Sequence, residues 1–454
     1  MTICALATAP GGAIGIIRVS GPQTLEILSH VFRGSGDVQT YPANTIHYGH
    51  IVSGTEVIDE VLISVFRAPH SYTGEDSAEI SCHGSRYILN KVLELLIGNG
   101  CRMANPGEYT MRAYLNGKMD LSQAEAVADL IASTNKGTHQ MAMSQLRGGI
   151  SSELSRLREQ LLKLTSLLEL ELDFSDHEDL EFADRSELFE LTKTIDNHIT
   201  RLAHSFETGQ ALKQGIPVAI VGKTNVGKST LLNALLKDDR AIVSDIHGTT
   251  RDTVEDTIDI NGVTFRFIDT AGIRQTTDEV EQIGITRTFA AIDKARIVLW
   301  LIDADPTQEY IQEMQERCKD KSLIIIINKI DKLEKVSAEK LSSHLSPLRS
   351  NLLSISAKFG TNLSELESAI SLAANRPSFQ ENDIIVSNAR HYDALIRAHE
   401  HILRVIDGLQ MQLSGDLLSE DLRLTLDTLA EITGGQITSN EVLGNIFKNF
   451  CVGK

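Results

Sequence analysis

Short apolar runs and longer amphipathic stretches alternate along this chain, and their order marks out four regions. In residues 1–118, β-like runs are broken by turns. Residues 15–20, 57–66 and 78–84 read as strands, and 22–31 and 86–97 carry helical spacing. That mixture predicts a separate α/β or α+β domain. In residues 119–214, Leu and Ile recur three and four apart over 124–133 and 140–172, which predicts helices. No a/d heptad persists there long enough to favour a coiled coil over a bundle.

The pattern changes again at residue 215. Short β-branched runs at 216–221, 263–268, 323–327 and 353–355 each end in polar or glycine-rich loops, as buried strands do. Asn261-Gly262 joins two alternating runs, a strong hairpin signal. This module extends to about residue 375. Beyond Arg376-Pro377, helical spacing returns over 384–412 and 420–429. Helices on both sides of a module predict that it is inserted in a helical domain, 119–214 with 376–454, whose two halves pack together. The fold class expected is multi-domain, α/β plus all-α.

Composition narrows the function. A chain of 454 residues can hold two to four domains, and 42% hydrophobic with 23% charged residues fits a globular protein. The formal charge of −18 excludes a protein that grips nucleic acid through its overall field. Any RNA contact must use a local patch, a partner or a transient encounter. Five cysteines without paired spacing suggest neither a disulfide frame nor a zinc site, and a reducing compartment. The start, Met1 to Leu6, lacks a basic stretch, and no apolar run approaches ~18 residues. A cytoplasmic protein without a membrane contact is expected. The Gly11 to Gly15 cluster precedes a strand, so it is not a dinucleotide fingerprint. The acidic run 173–179 reads most simply as a helix end or exposed loop, and otherwise as a carboxylate metal site.

The chemistry concentrates in the module. Gly222-Lys223-Thr224-Asn225-Val226-Gly227-Lys228-Ser229 fits G-x-x-x-x-G-K-[ST], with an apolar run before it and helix-forming residues after it. Glycines there let backbone N–H groups surround phosphates at a helix N-terminus. Lys228 would reach the β- and γ-phosphates and the Ser229 hydroxyl would ligate Mg²⁺. Asp269-Thr270-Ala271-Gly272 would hold the Mg²⁺ shell and sense the γ-phosphate. Asn328-Lys329-Ile330-Asp331 puts a carboxylate where guanine presents two N–H donors, which selects GTP over ATP. Ser356-Ala357-Lys358 would close over the base.

The nucleotide site expected thus comprises Asn225, Val226, Gly227, Lys228, Ser229 and Thr230 from the loop and helix start. Ser244, Asp245, Ile246, His247, Gly248, Thr249 and Thr250 form the first switch, Thr250 meeting Mg²⁺ when γ-phosphate is present. Asp269, Thr270, Ala271, Gly272, Asn328, Lys329, Asp331, Ser356, Ala357 and Lys358 complete it. These motifs, in this order at strand ends, indicate a Ras-like P-loop GTPase. Where a simple member of that class carries a water-orienting glutamine, this chain has Ile273. Hydrolysis must therefore recruit another group, and acids lie just downstream at Asp278, Glu279 and Glu281.

Taken end to end, the chain resembles the MnmE (TrmE) family of tRNA-modification GTPases. The resemblance rests on residues 15–21, 71–76, 106–118, 248–252 and the terminal Cys451-x-Gly-Lys454. It implies that the N-terminal domain resembles a folate-binding fold and pairs with its copy in a homodimer. It implies a tetrahydrofolate derivative, 5,10-methylene or 5-formyl, in a pocket matching Arg18, Glu79, Lys118 and Lys454. It implies K⁺ at Asn225 with oxygens of Ser244, Ile246 and Thr249, and G-domain dimerisation that depends on it. Glu281 matches the family's water-orienting glutamate, and Cys451 a cysteine near the folate, as nucleophile or as packing. The implied activity, with the flavoprotein partner MnmG, adds a carboxymethylaminomethyl or aminomethyl group at C5 of the wobble uridine of certain tRNAs. The rival reading is a ribosome-assembly GTPase switch without tRNA chemistry. It shares every nucleotide motif, but needs neither the folate residues nor the tail.

Overall fold

The computed structural model describes residues 1–173, 185–237, 256–268, 289–332, 341, 345, 351–374, 384–435, 443, 446–448, 450 and 453. The chain forms two compact units, one of 1–132, 142–203 and 389–454, the other of 133–141 and 204–388.

The first unit begins with a seven-stranded sheet. Its strands are β1 (Ile3–Leu6), β2 (Ile14–Ser20), β3 (Phe32–Gly34), β4 (Thr45–Ser53), β5 (Glu56–Phe66), β6 (Ser77–His83) and β7 (Arg102–Met103), in the order β3-β4-β5-β6-β2-β1-β7. Helices α1 (Thr24–Val31) and α2 (Arg86–Gly98) cover one face, burying Ile17, Val19, Ile63, Val65 and Ile80 against Leu28, Leu89 and Val92. Every second strand residue points that way, which is what the alternation in β5 requires. The other face is different. Tyr48 pairs with Leu62, Leu62 with Ser81 and Ser81 with Ile16, while Ile14 lies opposite His83 and Arg18 opposite Glu79. Ile14, Ile46, Tyr48 and Leu62 are exposed there, although Leu62 and Ile46 are strand residues in an otherwise well-covered sheet.

After α3 (Glu108–Leu115) the chain is helical, with α4 (Leu121–Ala132), α5 (Lys136–Leu146), α6 (Gly149–Asp173) and α7 (Arg185–Gln214); the start of α5 and the end of α7, from residue 204, belong to the second unit. The single helix expected over 140–172 is two. Gly148 takes φ +83°, a left-handed conformation that ends α5, and the same apolar spacing resumes in α6. From the far side of the module, Glu125 on α4 pairs at 2.9 and 2.8 Å with Arg390 and His391, at the start of a helix that spans Ala389–Gln410. Asp196 on α7 bonds His399 of that helix at 2.6 Å. The two helical stretches flanking the module therefore pack in one unit. Residues 384–388, expected to be helical, precede the helix.

The second unit is built on β8 (Ile216–Val221), α8 (Lys228–Lys237), β9 (Asp256–Ile260), β10 (Val263–Phe267), β11 (Ile297–Ile302), β12 (Ser322–Ile327) and β13 (Asn351–Ser354). The sheet order is β13-β12-β11-β8-β10-β9, parallel except for β9. β11 and β12 are buried on both faces, so their sequences are continuous apolar runs with no alternation. Helices α9 (Gln308–Arg317) and α10 (Leu363–Ala373) pack on the sheet, and α11 (Ala389–Gln410) and α12 (Gly415–Thr433) complete the first unit.

Candidate nucleotide and tail sites

β8 ends at Val221 and the phosphate loop follows. Gly222 adopts φ +150°, and a Cβ there would stand 2.4 Å from the Leu301 carbonyl. Gly227 adopts φ +105°, and its Cβ would stand 2.3 Å from Asn328 Nδ2. Neither position admits a side chain, so the loop lies closely against the ends of β11 and β12. Asn225 is left-handed at φ +61°. Lys228 Nζ donates to the carbonyls of Gly222 at 2.7 Å and Lys223 at 2.8 Å, which folds the lysine over its own loop. Burial pushes the Lys228 pKa below its usual value, so an anion there would be favoured by a cation that water solvates poorly. Val226 is buried in the core, and Ser229 and Thr230 lie in the first turn of α8, whose N-terminus follows the loop directly.

The end of β12 carries Asn328, Lys329 and Asp331, the residues expected to face the base. Asn328, 2% exposed, donates through Nδ2 to the Val226 carbonyl at 2.9 Å and accepts the Ala357 N–H at 3.1 Å. One amide thus ties the phosphate loop to the Ser356–Lys358 segment. Lys329 is left-handed at φ +60°, and its Nζ donates to the Asn225 carbonyl at 2.6 Å and Asp303 at 2.7 Å. Asp331 is exposed and accepts the Ser356 hydroxyl at 2.6 Å, a bond that holds its carboxyl below the usual range. Ser356 itself is buried, bridged to Thr361. Lys358 lies over the Phe359 ring at 5.3 Å. Asn225 to Ser229, Asn328, Lys329, Asp331 and Ser356 to Lys358 are thereby brought to one end of the sheet. Asp303 was not anticipated; an aspartate just after an apolar strand was its signal.

Ser244, Asp245, Ile246, His247, Gly248, Thr249, Thr250, Asp269, Thr270, Ala271, Gly272 and Glu281 lie outside the described residues, as do Cys451 and Lys454.

A second cluster lies on the open face of the N-terminal sheet. Arg18 Nε and Nη2 donate to Glu79 Oε1 at 3.0 and 2.7 Å, and Nη1 donates to the Gly453 carbonyl at 3.1 Å. The guanidinium lies 5.7 Å from the Tyr72 ring centroid and 5.6 Å from that of Tyr109. Tyr109 donates its hydroxyl to the Arg18 carbonyl at 2.8 Å. Gly453, at φ +95°, sits where a Cβ would meet the Leu6 carbonyl at 2.5 Å. Before it, Phe447 packs with Leu121, Ala124 and Leu443, and the Phe450 ring lies 5.0 Å from that of Phe447. The tail is therefore held against the sheet by its aromatic residues and by a glycine. Lys118 donates to the Pro69 carbonyl at 2.9 Å, on the loop that carries Tyr72. Tyr72 and Tyr109 were not singled out in the sequence, where isolated tyrosines carry no periodic signal.

Comparison with known proteins places the whole chain in one family. Residues 2–118 match the family model of the GTP-binding protein TrmE N-terminus, and 121–451 that of the MnmE helical domain. A tRNA modification GTPase MnmE from Phocaeicola vulgatus is 56% identical over 493 residues, covering 100% of this chain and 99% of that protein. Proteins of the same description from Bacteroides thetaiotaomicron and Flavobacterium psychrophilum are 56% and 49% identical, each over 463 residues and with the same coverage. A solved GTP-binding protein from Sulfolobus solfataricus in complex with GDP aligns with 48% of this chain and 67% of its own, at 20% identity and TM-score 0.26, too slight a likeness to define the fold. A phosphate loop closed by Lys228 and Asn328 and full-length identity of this order make the chain a GTP hydrolase, and it belongs to the family of tRNA modification GTPases MnmE.

Proposed function

We propose that the chain couples GTP hydrolysis to modification of tRNA at C5 of the wobble uridine. It acts with the flavoprotein MnmG and a tetrahydrofolate one-carbon donor, to add a carboxymethylaminomethyl or aminomethyl group. The observation that carries this reading is Arg18. It lies between two tyrosine rings, paired with Glu79 on one side and with the tail's Gly453 carbonyl on the other. A pure GTPase switch has no need of such a junction, and family membership over the full length removes support for the ribosome-assembly alternative.

The residues present fit the groups this reading needs. Glu79 can accept from the N–H edge of a pterin, and Arg18, Lys118 and Lys454 can meet folate carboxylates. When bound, the folate would supply the one-carbon unit. Lys228 and the loop N–H groups would hold the GTP phosphates, with Mg²⁺ at Ser229 and Thr250 and K⁺ at Asn225, Ser244, Ile246 and Thr249. Both cations would offset charge developing on the phosphates, the task an arginine finger performs elsewhere. Asp269 senses the γ-phosphate, and Glu281 orients the water that Ile273 cannot. A Glu281→Ala variant then binds GTP normally but loses most single-turnover hydrolysis; hydrolysis at the wild-type rate removes that role.

The exposed Ile14, Ile46, Tyr48 and Leu62 share a sheet face with Arg18 and Glu79, which supports a homodimer joined through this domain. Among the described residues no helix is long and apolar enough to cross a membrane. We place the protein in the cytoplasm, with MnmG providing much of the contact to tRNA.

Equilibrium binding of 5-formyltetrahydrofolate to the full chain tests the folate assignment. Wild type should bind saturably, and Arg18→Ala should weaken binding by roughly 10- to 100-fold, the range for a charge-assisted hydrogen bond. Equal binding by both, or none by wild type, contradicts it.

A further inference from the structure

A short piece of the helical region folds with the GTPase module. Residues 133–141, at the α4–α5 junction, cluster with residues 204–388 and not with the helices on either side of them in sequence. The contact is made by the first turn of α5 on the β9–β10 hairpin. Asn135 Nδ2 donates to Thr264 Oγ1 at 2.6 Å, and the Gly137 N–H donates to the Gly262 carbonyl at 3.3 Å. A Cβ on Gly137 would stand 2.8 Å from that carbonyl, so glycine is what lets the helix approach. Asn135 also accepts the Thr138 N–H through Oδ1 at 2.8 Å, which caps α5. Met141 enters the same core as Ile258, Ile260 and Val263.

The hairpin is hydrogen-bonded along its whole length. Asn261 and Gly262, at φ +54° and +79°, make the tight two-residue turn, and Asp259 Oδ1 accepts the Gly262 N–H at 2.7 Å. β9 and β10 pair from Val263–Ile260 to Phe267–Asp256 without a break, and β10 is locked to β8 as far as the Ile268 N–H, which donates to Val218 at 2.9 Å. In sequence, β9 begins six residues after Thr250, and Asp269 follows Ile268 directly. One hairpin therefore joins the two switch segments, and its turn is held by a helix from outside the module.

We propose that Asn135 and Gly137 are positioning residues for GTP hydrolysis. They fix the turn of the hairpin whose two strands lead, in sequence, back to the first switch at Thr250 and on to Asp269. This rests on the switch roles of those two segments. Small displacements of a catalytic constellation are costly, while the phosphate loop and the Asn328–Asp331 segment, which dominate nucleotide affinity, lie on other strands.

The test is steady-state GTP hydrolysis and GDP affinity of the full chain, with melting temperature as a folding control. Thr264→Val removes the hydroxyl and leaves the α5 cap intact; Asn135→Ala removes both. Asn135→Asp keeps the cap and can accept from the Thr264 hydroxyl. Thr264→Val and Asn135→Ala should each lower kcat by about three- to ten-fold, with GDP affinity within about two-fold of wild type. The double variant should be no slower than the slower single one, because both remove one bond. Asn135→Asp should hydrolyse within about two-fold of wild type. Wild-type turnover in Thr264→Val, or multiplicative losses in the double variant, overturns the proposal. Asp269→Ala, run alongside, separates the two readings. If it hydrolyses GTP normally the switch assignment fails, whereas if it is inactive and Thr264→Val is not, only the clasp fails.

Discussion

Asp331 is the residue proposed to read the base. Its carboxylate is exposed, oriented by the Ser356 hydroxyl at 2.6 Å and held in its charged form by that bond. Two acceptor oxygens match the N1–H and 2-amino donors of guanine. Asp331→Asn replaces one acceptor by a donor, which faces the 2-amino group of guanine unfavourably but pairs with the 2-carbonyl of xanthine. GTP affinity should fall by roughly 10- to 100-fold and XTP affinity should rise, measured by competition with a labelled guanine nucleotide. Unchanged discrimination would mean that the base is read elsewhere. This residue was legible because its chemistry, spacing and strand-end position coincide. Arg18 and Glu79 were not legible from spacing: they are 61 positions apart and meet only because β2 and β6 are neighbours in a sheet whose order no local pattern encodes. Resemblance supplied them.

At the scale of elements, α3 is anchored by charge. Glu108 in its first turn is 3% exposed, bonded to Arg102 at 2.5 Å and to Arg112 at 2.9 Å. Burial alone would raise its pKa, but Arg102, the Asn105 N–H and Arg112 outweigh it and bring it to about 2 from an ordinary 4.5. A depressed carboxylate stabilises the fold fully above about pH 4.5, and that contribution is lost as pH falls from there towards 2. Its upper limit is on the order of 3 kcal/mol. Glu108→Gln should therefore lower the melting temperature at pH 7 and flatten its decline between pH 4.5 and 2. A parallel decline in both proteins would assign the acid sensitivity to other groups. Around the phosphate loop, β8, β10, β12 and β13 were readable as short apolar runs ending in polar or glycine-rich loops, whereas β11, a continuous apolar run at Ile297–Ile302, was not named. β1, β3, β4 and β7 were missed: three are four residues or fewer, and β4 mixes histidine and glycine into its alternation. Apolar spacing continues across Gly148, so periodicity merged α5 and α6 where left-handed glycine geometry separates them.

For the whole molecule, the sequence order of the regions is not their spatial grouping. Residues 389–454 return to the unit of the N-terminal sheet, bringing Gly453 to Arg18, while 133–141 leave the helical stretch to join the GTPase module. The first was foreshadowed by helical spacing on both sides of the module; the second has no sequence signal, because it depends on a few contacts between distant positions. The net charge of −18 belongs to this scale as well, and is the reason for assigning much of the tRNA contact to the partner. The most direct test of the central claim is mass spectrometry of wobble nucleosides in tRNA from cells lacking this chain, complemented with wild type, Asp269→Ala, Arg18→Ala or Cys451→Ser. Loss of the C5 group, restored by wild type and by none of the three variants, is the predicted result. Normal wobble uridines in the deletion strain, or full restoration by Asp269→Ala, would contradict a GTP-driven modification.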